Sequence, residues 1–474
     1  MNKSRPDIIF LMLDTVRADS LRAYGGKHSL STLDRMSSKG VVYKRAIAPG
    51  TYTVPSHASL FLGKRAKSIK SVSGKITEEI ETGVNPFLAK VKYIGKKDMP
   101  IAKQLSYLGY RTALISNNPL VSEHIGMAEG FENIYDLWLD KLDVHKVPLG
   151  IVSNNTLRKM AVDLSYLASR CMPANFLDEL YLRLRMKTSK RYFEESGSSE
   201  IDVGARKTNT VVKRYFERFA DGNNFVFINY MEGHEGYPSN LVTGDYVEQD
   251  KWLYLSHIVE EENVKVLKQG YDKRIEYLDG QLSNLMRIMK EAGALENSIV
   301  IVASDHGQAF LEHGQMYHCV FPYNELTHIP LIVARFRNGK QVDTRERVNN
   351  FVSLTALHDS ILDIAYGKAD EINGSMRRDQ HIFTDHVGIS ELWDAHLLKL
   401  LSKRSKYAKM IYKTKQKYNC SATAIYHKNR KLISYADGRK EMFDMESDMQ
   451  ESENIINRNR AAALEMLRAE RAMR

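Results

Sequence analysis

Cysteine is nearly missing from this chain. Cys171, Cys319 and Cys420 are scattered over 474 positions. An odd, sparse set of this kind excludes a disulfide framework and predicts a reducing compartment. Long apolar runs are missing as well. The N-terminal "MNKSRPDIIFLMLD" holds only a short one before Asp14, the pattern of a buried strand and not of a signal peptide or membrane anchor. The expectation is a cytoplasmic protein with no transmembrane segment. No dense basic block stands out either. Lys and Arg number 68 against 58 Asp and Glu, a net charge of +10. That modest excess suits an anionic substrate and predicts no nucleic-acid partner. The densest basic stretches, 403–418 and 183–192, read as solvated helix faces. No internal repeat is found, and nothing in the sequence speaks to oligomeric state.

What is present is globular. Apolar residues make up 43% and charged residues 27% of the chain, which excludes a disordered chain. The length calls for a large domain plus a smaller one. "DIIFLMLD" (7–14) and "SIVIVASDHG" (298–307) are continuous apolar runs that predict strands buried on both faces, and "NNFVFINYMEGHEGY" (223–237) is a third. Between them come "VVYKRAIA" and "RTALISN" as strands, with helices in "TLDRMSSKG" (capped by Ser31), "MPIAKQLSYLGY" and "YDKRIEYLDGQLSNLMRIMKEAG" (271–293). Strand and helix alternate, so the fold class is α/β with a mostly parallel sheet. Apolar residues at helical spacing from about 138 to 220 predict a helical insertion. Beyond about 370 the strand-like segments shorten, which divides the chain into a catalytic domain, 1–370, and a smaller α+β subdomain, 371–474.

Ligands of open α/β sheets bind at the carboxyl ends of strands. Asp14 ends one buried run and Asp305-His306 another, so the three converge if their strands are neighbours. Two carboxylates and an imidazole suit a divalent cation, although any single Asp at such a junction also serves as a helix cap. In "GTYTVPSHAS" (50–59) Thr53 stands at a sharp strand-to-helix turn, the geometry that exposes a nucleophilic hydroxyl. Thr51, Ser56 and Ser59 are rival hydroxyls.

These blocks resemble the sulfatase branch of the alkaline phosphatase superfamily. "RPDIIFLMLDTVRADSLRAYG" resembles its N-terminal metal strand, and "TVPSHASLFLG" occupies the place of its nucleophile signature. The longest match is "YDKRIEYLDGQLSNLMRIMKEAGALENSIVIVASDHG" with the "EHG" and "YNELTHIPLIV" that follow. "EMFDMESDMQESEN" is similar to its C-terminal tail. The resemblance implies a large mixed, mainly parallel sheet sandwiched by helices, followed by a smaller antiparallel-sheet domain. It implies Asp14, Asp305, His306 and Thr53 as ligands of one divalent cation (Mn²⁺, Ca²⁺, Mg²⁺ or Zn²⁺), with Thr53 also the nucleophile. His234 and His318 fall where the family contacts the substrate's anionic group. His57 stands in place of an Arg, and Asn117 in place of the first group of a Lys-x-His pair, so both are expected to bind substrate.

The departures are chemical. Sulfatases convert a Cys or Ser to formylglycine, and Thr53 cannot become that aldehyde because its β-carbon carries a methyl group. A phosphothreonine can be opened by water at phosphorus, whereas a sulfated Thr lacks the exit a formylglycine hydrate has. Pro119 replaces the His of Lys-x-His, and Thr15 replaces a second acid. No Asp upstream of the Asp-His strand has a His four residues on; Asp272, for example, is followed by Glu276. One cation is therefore expected, not two. The function expected is hydrolysis of phosphate or phosphonate esters, with an anionic small molecule, glycan or lipid head group as partner. Sulfuric ester hydrolysis and phosphoglycerol- or phosphoethanolamine-type transfer remain the alternatives.

Overall fold

Three apolar runs, DIIFLML, NFVFINY and NSIVIVA, lie side by side as parallel strands in the computed structural model of the chain. The structure describes residues 5–66, 69–70, 91–92, 94, 97–123, 126–138, 201–244, 247–370, 372, 381–386 and 406–473. The main sheet has ten strands: β1 (Asp7–Leu13), β2 (Val41–Ile47), β3 (Arg111–Ser116), β4 (Asn133–Asp136), β5 (Asn224–Tyr230), β6 (Asn297–Ala303), β7 (His328–Ile329), β8 (Leu331–Arg337), β9 (Lys340–Gln341) and β10 (Glu346–Ser353). Their order is β7-β2-β8-β6-β1-β5-β3-β4, with β9 beside β8 and β10 beside β2. β6, β1, β5, β3 and β4 run parallel, and β8 is antiparallel to both β6 and β2. The sheet is thus mixed and mainly parallel.

Helices cover both faces, which is why the central strands show no polar alternation. On one side Ile9 and Leu11 of β1 meet α1 (Ser31–Lys39), α4 (Ala205–Phe219) and α5 (Glu262–Glu291). On the other, Ile8, Phe10 and Met12 meet α2 (Thr53–Leu62), α3 (Ile101–Tyr107) and α6 (Ala356–Ala365). Each fully buried side chain of this size contributes about 1.5–3 kcal/mol of transfer free energy. A separate antiparallel sheet follows: β11 (Ile382–His386), β12 (Ala422–His427), β13 (Arg430–Tyr435) and β14 (Lys440–Asp444). α7 (Lys406–Tyr418) precedes β12. α8 (Arg460–Met473) lays Ala463 and Met466 on Ile425, Leu432 and Met442.

Three expectations are corrected or cut short. α5 begins nine residues before 271, so Gly270 lies inside it and packs closely: a Cβ there would lie 3.1 Å from that of Tyr237. Ser31 does not cap α1. Asp279 of α5 accepts the Thr32 N–H at 3.0 Å and the Leu33 N–H at 2.9 Å and does that work from across the core. The helical insertion is described only from residue 201, where α4 fills 205–219. Its earlier part and Cys171 lie outside the described residues. No described helix is long and apolar enough to cross a membrane.

Candidate active site

Strand register sets the site. Met12 is level with Asn229 of β5 and Ala303 of β6, and Asn229 is level with Ser116 of β3. The residues just past these four parallel ends are Asp14, the 231–235 loop, Asp305-His306 and Asn117-Asn118. They ring the carboxyl edge of the sheet, where open α/β folds bind ligands.

Thr53 reaches this edge from α2. Tyr52 is extended (φ −162°) and Thr53 is the first helical residue, so the chain turns sharply there. Pro55 stands third in the helix, where its missing N–H leaves no bond unmade. Thr53 Oγ1 lies 3.5 Å from His306 Nε2. The rival hydroxyls face elsewhere. Thr51 Oγ1 meets His386 Nδ1 at 3.2 Å, Ser56 Oγ donates to the Gly50 carbonyl, and Ser59 Oγ accepts the Ala66 N–H.

Asp14, Asp305 and His306 come together, all three fully buried. His306 Nε2 is 3.4 Å from Asp305 Oδ2 and 4.0 Å from Asp14 Oδ1. Each side chain spends one polar atom on the protein and presents the other. Asp14 Oδ2 accepts from Asn118 Nδ2 at 2.7 Å. Asp305 Oδ1 accepts from the His306 and Thr15 amides at 2.9 and 3.3 Å. His306 Nδ1 meets the Gly307 carbonyl at 2.9 Å, which fixes the tautomer and frees Nε2. Asp14 Oδ1 and Asp305 Oδ2 are left buried with no hydrogen-bond partner. Burial first, then the neighbouring Asp305 charge, pushes the Asp14 carboxyl up to about 6. Burial pushes Asp305 up to about 7 against its backbone hydrogen bonds. Two orphaned carboxylate oxygens, one free imidazole nitrogen and one hydroxyl are the donor set of a divalent cation, so the residues fit the group the fold implies. Thr15 next to them has φ +60°, a left-handed backbone in a β-branched residue, the kind of strain that collects at functional sites.

The open side carries His234 and His318, with ring centroids 4.9 Å apart; His318 is also 4.8 Å from His306. Glu235 lies between them, its Oε2 3.2 Å from His234 Nδ1 and 3.1 Å from His318 Nδ1. Gln308 holds the group in place, accepting at 3.0 Å from His318 Nδ1 and donating to Tyr237 Oη at 2.6 Å. Burial holds His318 down at about 4, outweighing the neighbouring Glu235.

The structure sets two expected substrate contacts apart from this open side. His57 has no exposed surface. Its Nδ1 donates to the Thr53 carbonyl at 2.9 Å, and its ring packs against Phe61 and Phe227. It lies 3.6 Å from Asp305 Oδ2, and burial lowers it to about 4. Asn117 turns toward α4 and donates to Thr208 Oγ1. Its neighbour Asn118 faces Asp14 instead. Sequence reasoning missed Asn118, Glu235 and Gln308. Glu235 and Gln308 each directly follow, or stand two residues from, a histidine that had been singled out, and that adjacency was the available signal.

The family model Sulfatase matches residues 6–368. The Arylsulfatase of Clostridium perfringens (strain 13 / Type A) is 21% identical over 480 residues, covering 96% of this chain and 90% of that protein. Arylsulfatase K of Canis lupus familiaris is 27% identical over 203 residues, 41% of this chain and 34% of that protein. The chain spans about a third or less of the first Arylsulfatase K proteins it matches. Among solved structures, the phosphonate monoester hydrolase of Agrobacterium radiobacter superposes with a TM-score of 0.59 at 14% identity, covering 99% of this chain and 95% of that one. A 2-O GAG sulfatase superposes at 0.58 and 13%, covering 99% and 91%. At such identities the likeness concerns the fold.

Proposed function

The chain belongs to the sulfatase family, and from that premise we propose that it cleaves phosphate or phosphonate mono- and diesters through a covalent Thr53 intermediate. The observation that carries this reading is Thr53 itself, the one hydroxyl of its turn aimed at the Asp14, Asp305 and His306 set. A threonine at that point supports direct phosphoryl chemistry, because the aldehyde route to sulfate release needs a β-carbon without a methyl group.

Asp14 Oδ1, Asp305 Oδ2, His306 Nε2 and Thr53 Oγ1 would hold the divalent cation, with Asn118, Thr15 and Gly307 fixing their orientation. When bound, that ion would supply the positive charge that makes a hydroxyl more acidic and, by polarising an ester oxygen, makes the phosphorus more electrophilic. Thr53 Oγ1 gives up its proton and bonds to phosphorus. The opposite P–O bond breaks, and the departing alkoxide takes up a proton, so the first half balances. Water then adds to the phosphothreonine phosphorus, the P–Oγ1 bond breaks to release the phosphate or phosphonate, and a water proton restores the Thr53 hydroxyl. His234 and His318, on the open side, meet the equatorial oxygens, where charge develops. His57 works from below: its bond to the Thr53 carbonyl fixes the first turn of α2.

The test compares an aryl phosphodiester, an aryl phosphonate and an aryl sulfate on wild type and Thr53→Ala. The expected result is preference for the phosphorus esters, and a loss of at least about a thousandfold in Thr53→Ala with the melting transition unchanged. Undiminished turnover in the variant would sink the assignment. The second reading is sulfuric ester hydrolysis, favoured by the matches to arylsulfatases; a faster reaction with the aryl sulfate would select it.

A further inference from the structure

Thr51 stands two residues before Thr53, is fully buried, and directs none of its polar groups at the site. Its N–H donates to the Asp385 carbonyl at 3.3 Å, its carbonyl accepts the Cys319 N–H at 3.0 Å, and its Oγ1 lies 3.2 Å from His386 Nδ1. Asp385 and His386 are the last two residues of β11, and Cys319 directly follows His318. One residue therefore ties three segments together: the turn that carries Thr53, the end of β11, and the loop that carries His318.

The direction of the side-chain bond is set by the other ring nitrogen. His386 Nε2 lies 2.9 Å from the Tyr418 carbonyl, which can only accept, so Nε2 holds the ring proton and Nδ1 presents a lone pair. Thr51 Oγ1 is then the donor. Burial lowers His386 to about 4, outweighing the Tyr418 hydrogen bond, so the ring stays neutral and Nδ1 stays an acceptor near pH 7. The ring is itself fixed. It meets Phe321 at right angles with centroids 5.6 Å apart, and Tyr418, the last residue of α7, donates through its hydroxyl to the Gly314 carbonyl at 3.1 Å. On the far side of Thr51, Tyr317 and Cys319 flank His318 at φ +60° and +59°. A loop with two left-handed residues of this size keeps its course only where surrounding bonds hold it, and the Cys319 amide to Thr51 is one of them.

A nucleophile misplaced by about 1 Å costs on the order of a hundredfold in rate. We propose that His386 is a positioning residue: through the Thr51 hydroxyl it sets where Thr53 Oγ1 stands relative to the His318 ring. It touches no substrate and transfers no proton; it acts as a fixed hydrogen-bond acceptor supplied by the second sheet. The inference rests on the Thr53-centred reading for its consequence, while the fixing of the turn is separable from any activity.

The experiment uses four variants of the full chain. Thr51→Val deletes the hydroxyl at nearly constant shape, and Thr51→Ser keeps it. His386→Gln retains a donor toward Tyr418 without the acceptor for Thr51, and His386→Asn retains that acceptor. Turnover is followed with whichever aryl ester wild type cleaves fastest, so the choice between phosphorus and sulfur does not enter. The expected result is kcat lower by about 10–100-fold in Thr51→Val and His386→Gln, KM within twofold, and most of the loss restored by Thr51→Ser and His386→Asn. Amide exchange over residues 50–56, read by mass spectrometry, is expected to quicken about 2–10-fold in the first pair alone. Wild-type kcat in Thr51→Val and His386→Gln, with only a lower melting transition, overturns the proposal; the bond is then a scaffold contact. A loss that Thr51→Ser leaves in place overturns it as well. Should Thr51→Val fail to fold, His386→Gln decides. Undiminished turnover in Thr53→Ala, or a chain inert toward every ester, strikes the functional reading, and the exchange of residues 50–56 then still shows whether His386 fixes the turn.

Discussion

Four hydroxyls crowd the turn between β2 and α2, and their partners separate them. Three bond within the scaffold, while Thr53 Oγ1 faces His306 Nε2. The same sorting separates Asn117 from Asn118. Both are buried, but past the end of β3 successive side chains point to opposite sides. Asn118→Ala removes the donor to Asp14 Oδ2, and the expected result is divalent-cation binding weaker by about 10–100-fold, the usual cost of a lost outer partner. Asn117→Ala should leave that affinity alone and cost about 1 kcal/mol of stability through the lost bond to Thr208. Mn²⁺ titration with parallel thermal melts checks both, and a reversed pattern would refute the assignment. Asp14, Asp305 and His306 could be read as a group because they end two buried apolar runs, and those runs are neighbouring parallel strands. The Asn117/Asn118 choice was not legible, since a one-residue difference in facing leaves no mark on composition.

Elements bring these residues together, and close backbone approach does the fixing. β1, β5 and β6 were readable because both faces of each are covered, leaving unbroken apolar runs. The true start of α5 was not readable, because a glycine within a helix looks the same in sequence whether it packs or terminates. Gly270, Gly233 and Gly280 show how far context decides. A Cβ at Gly233 would meet the Asp14 carbonyl at 2.4 Å and Thr15 Oγ1 at 2.9 Å, whereas one on Gly280 of α5 would meet nothing within 4 Å. Gly233→Ala should therefore cost about 2 kcal/mol and lift the 231–235 loop away from Asp14. Gly280→Ala should stabilise by roughly 0.5–1 kcal/mol, the difference in helix propensity. Chemical denaturation measures both; equal signs for the two variants would contradict this account of the close approach between β1 and the loop after β5.

Across the whole molecule, the second sheet supports the turn that carries Thr53. Asp385 of β11 bridges to Gly50. Its amide donates to the Pro49 carbonyl at 3.1 Å, and its carbonyl accepts the Thr51 N–H at 3.3 Å. Its carboxylate takes Arg65, just past α2, and Thr423 of β12. A second junction lies at His313. Its Nδ1 meets both Glu325 oxygens, at 3.1 and 3.2 Å, and its ring stacks on Tyr323 at 4.1 Å. Glu451, next to Glu325, pairs with buried Lys431 of β13 at 2.6 Å. Burial draws the His313 imidazole down, but the Glu325 hydrogen bond and charge, with Glu451 behind them, outweigh it and leave the group raised. A proton bound more tightly in the folded than in the unfolded chain stabilises the fold. That contribution is complete below the unfolded value near 6.5 and fades as pH climbs through the raised folded value. Melting wild type and His313→Gln from pH 5.5 to 8.5 should show the variant less stable by roughly 1 kcal/mol at the acid end, with the gap closing toward the alkaline end. A gap that stays constant across that range would mean that His313 holds the two sheets together by stacking on Tyr323 and not by its charge.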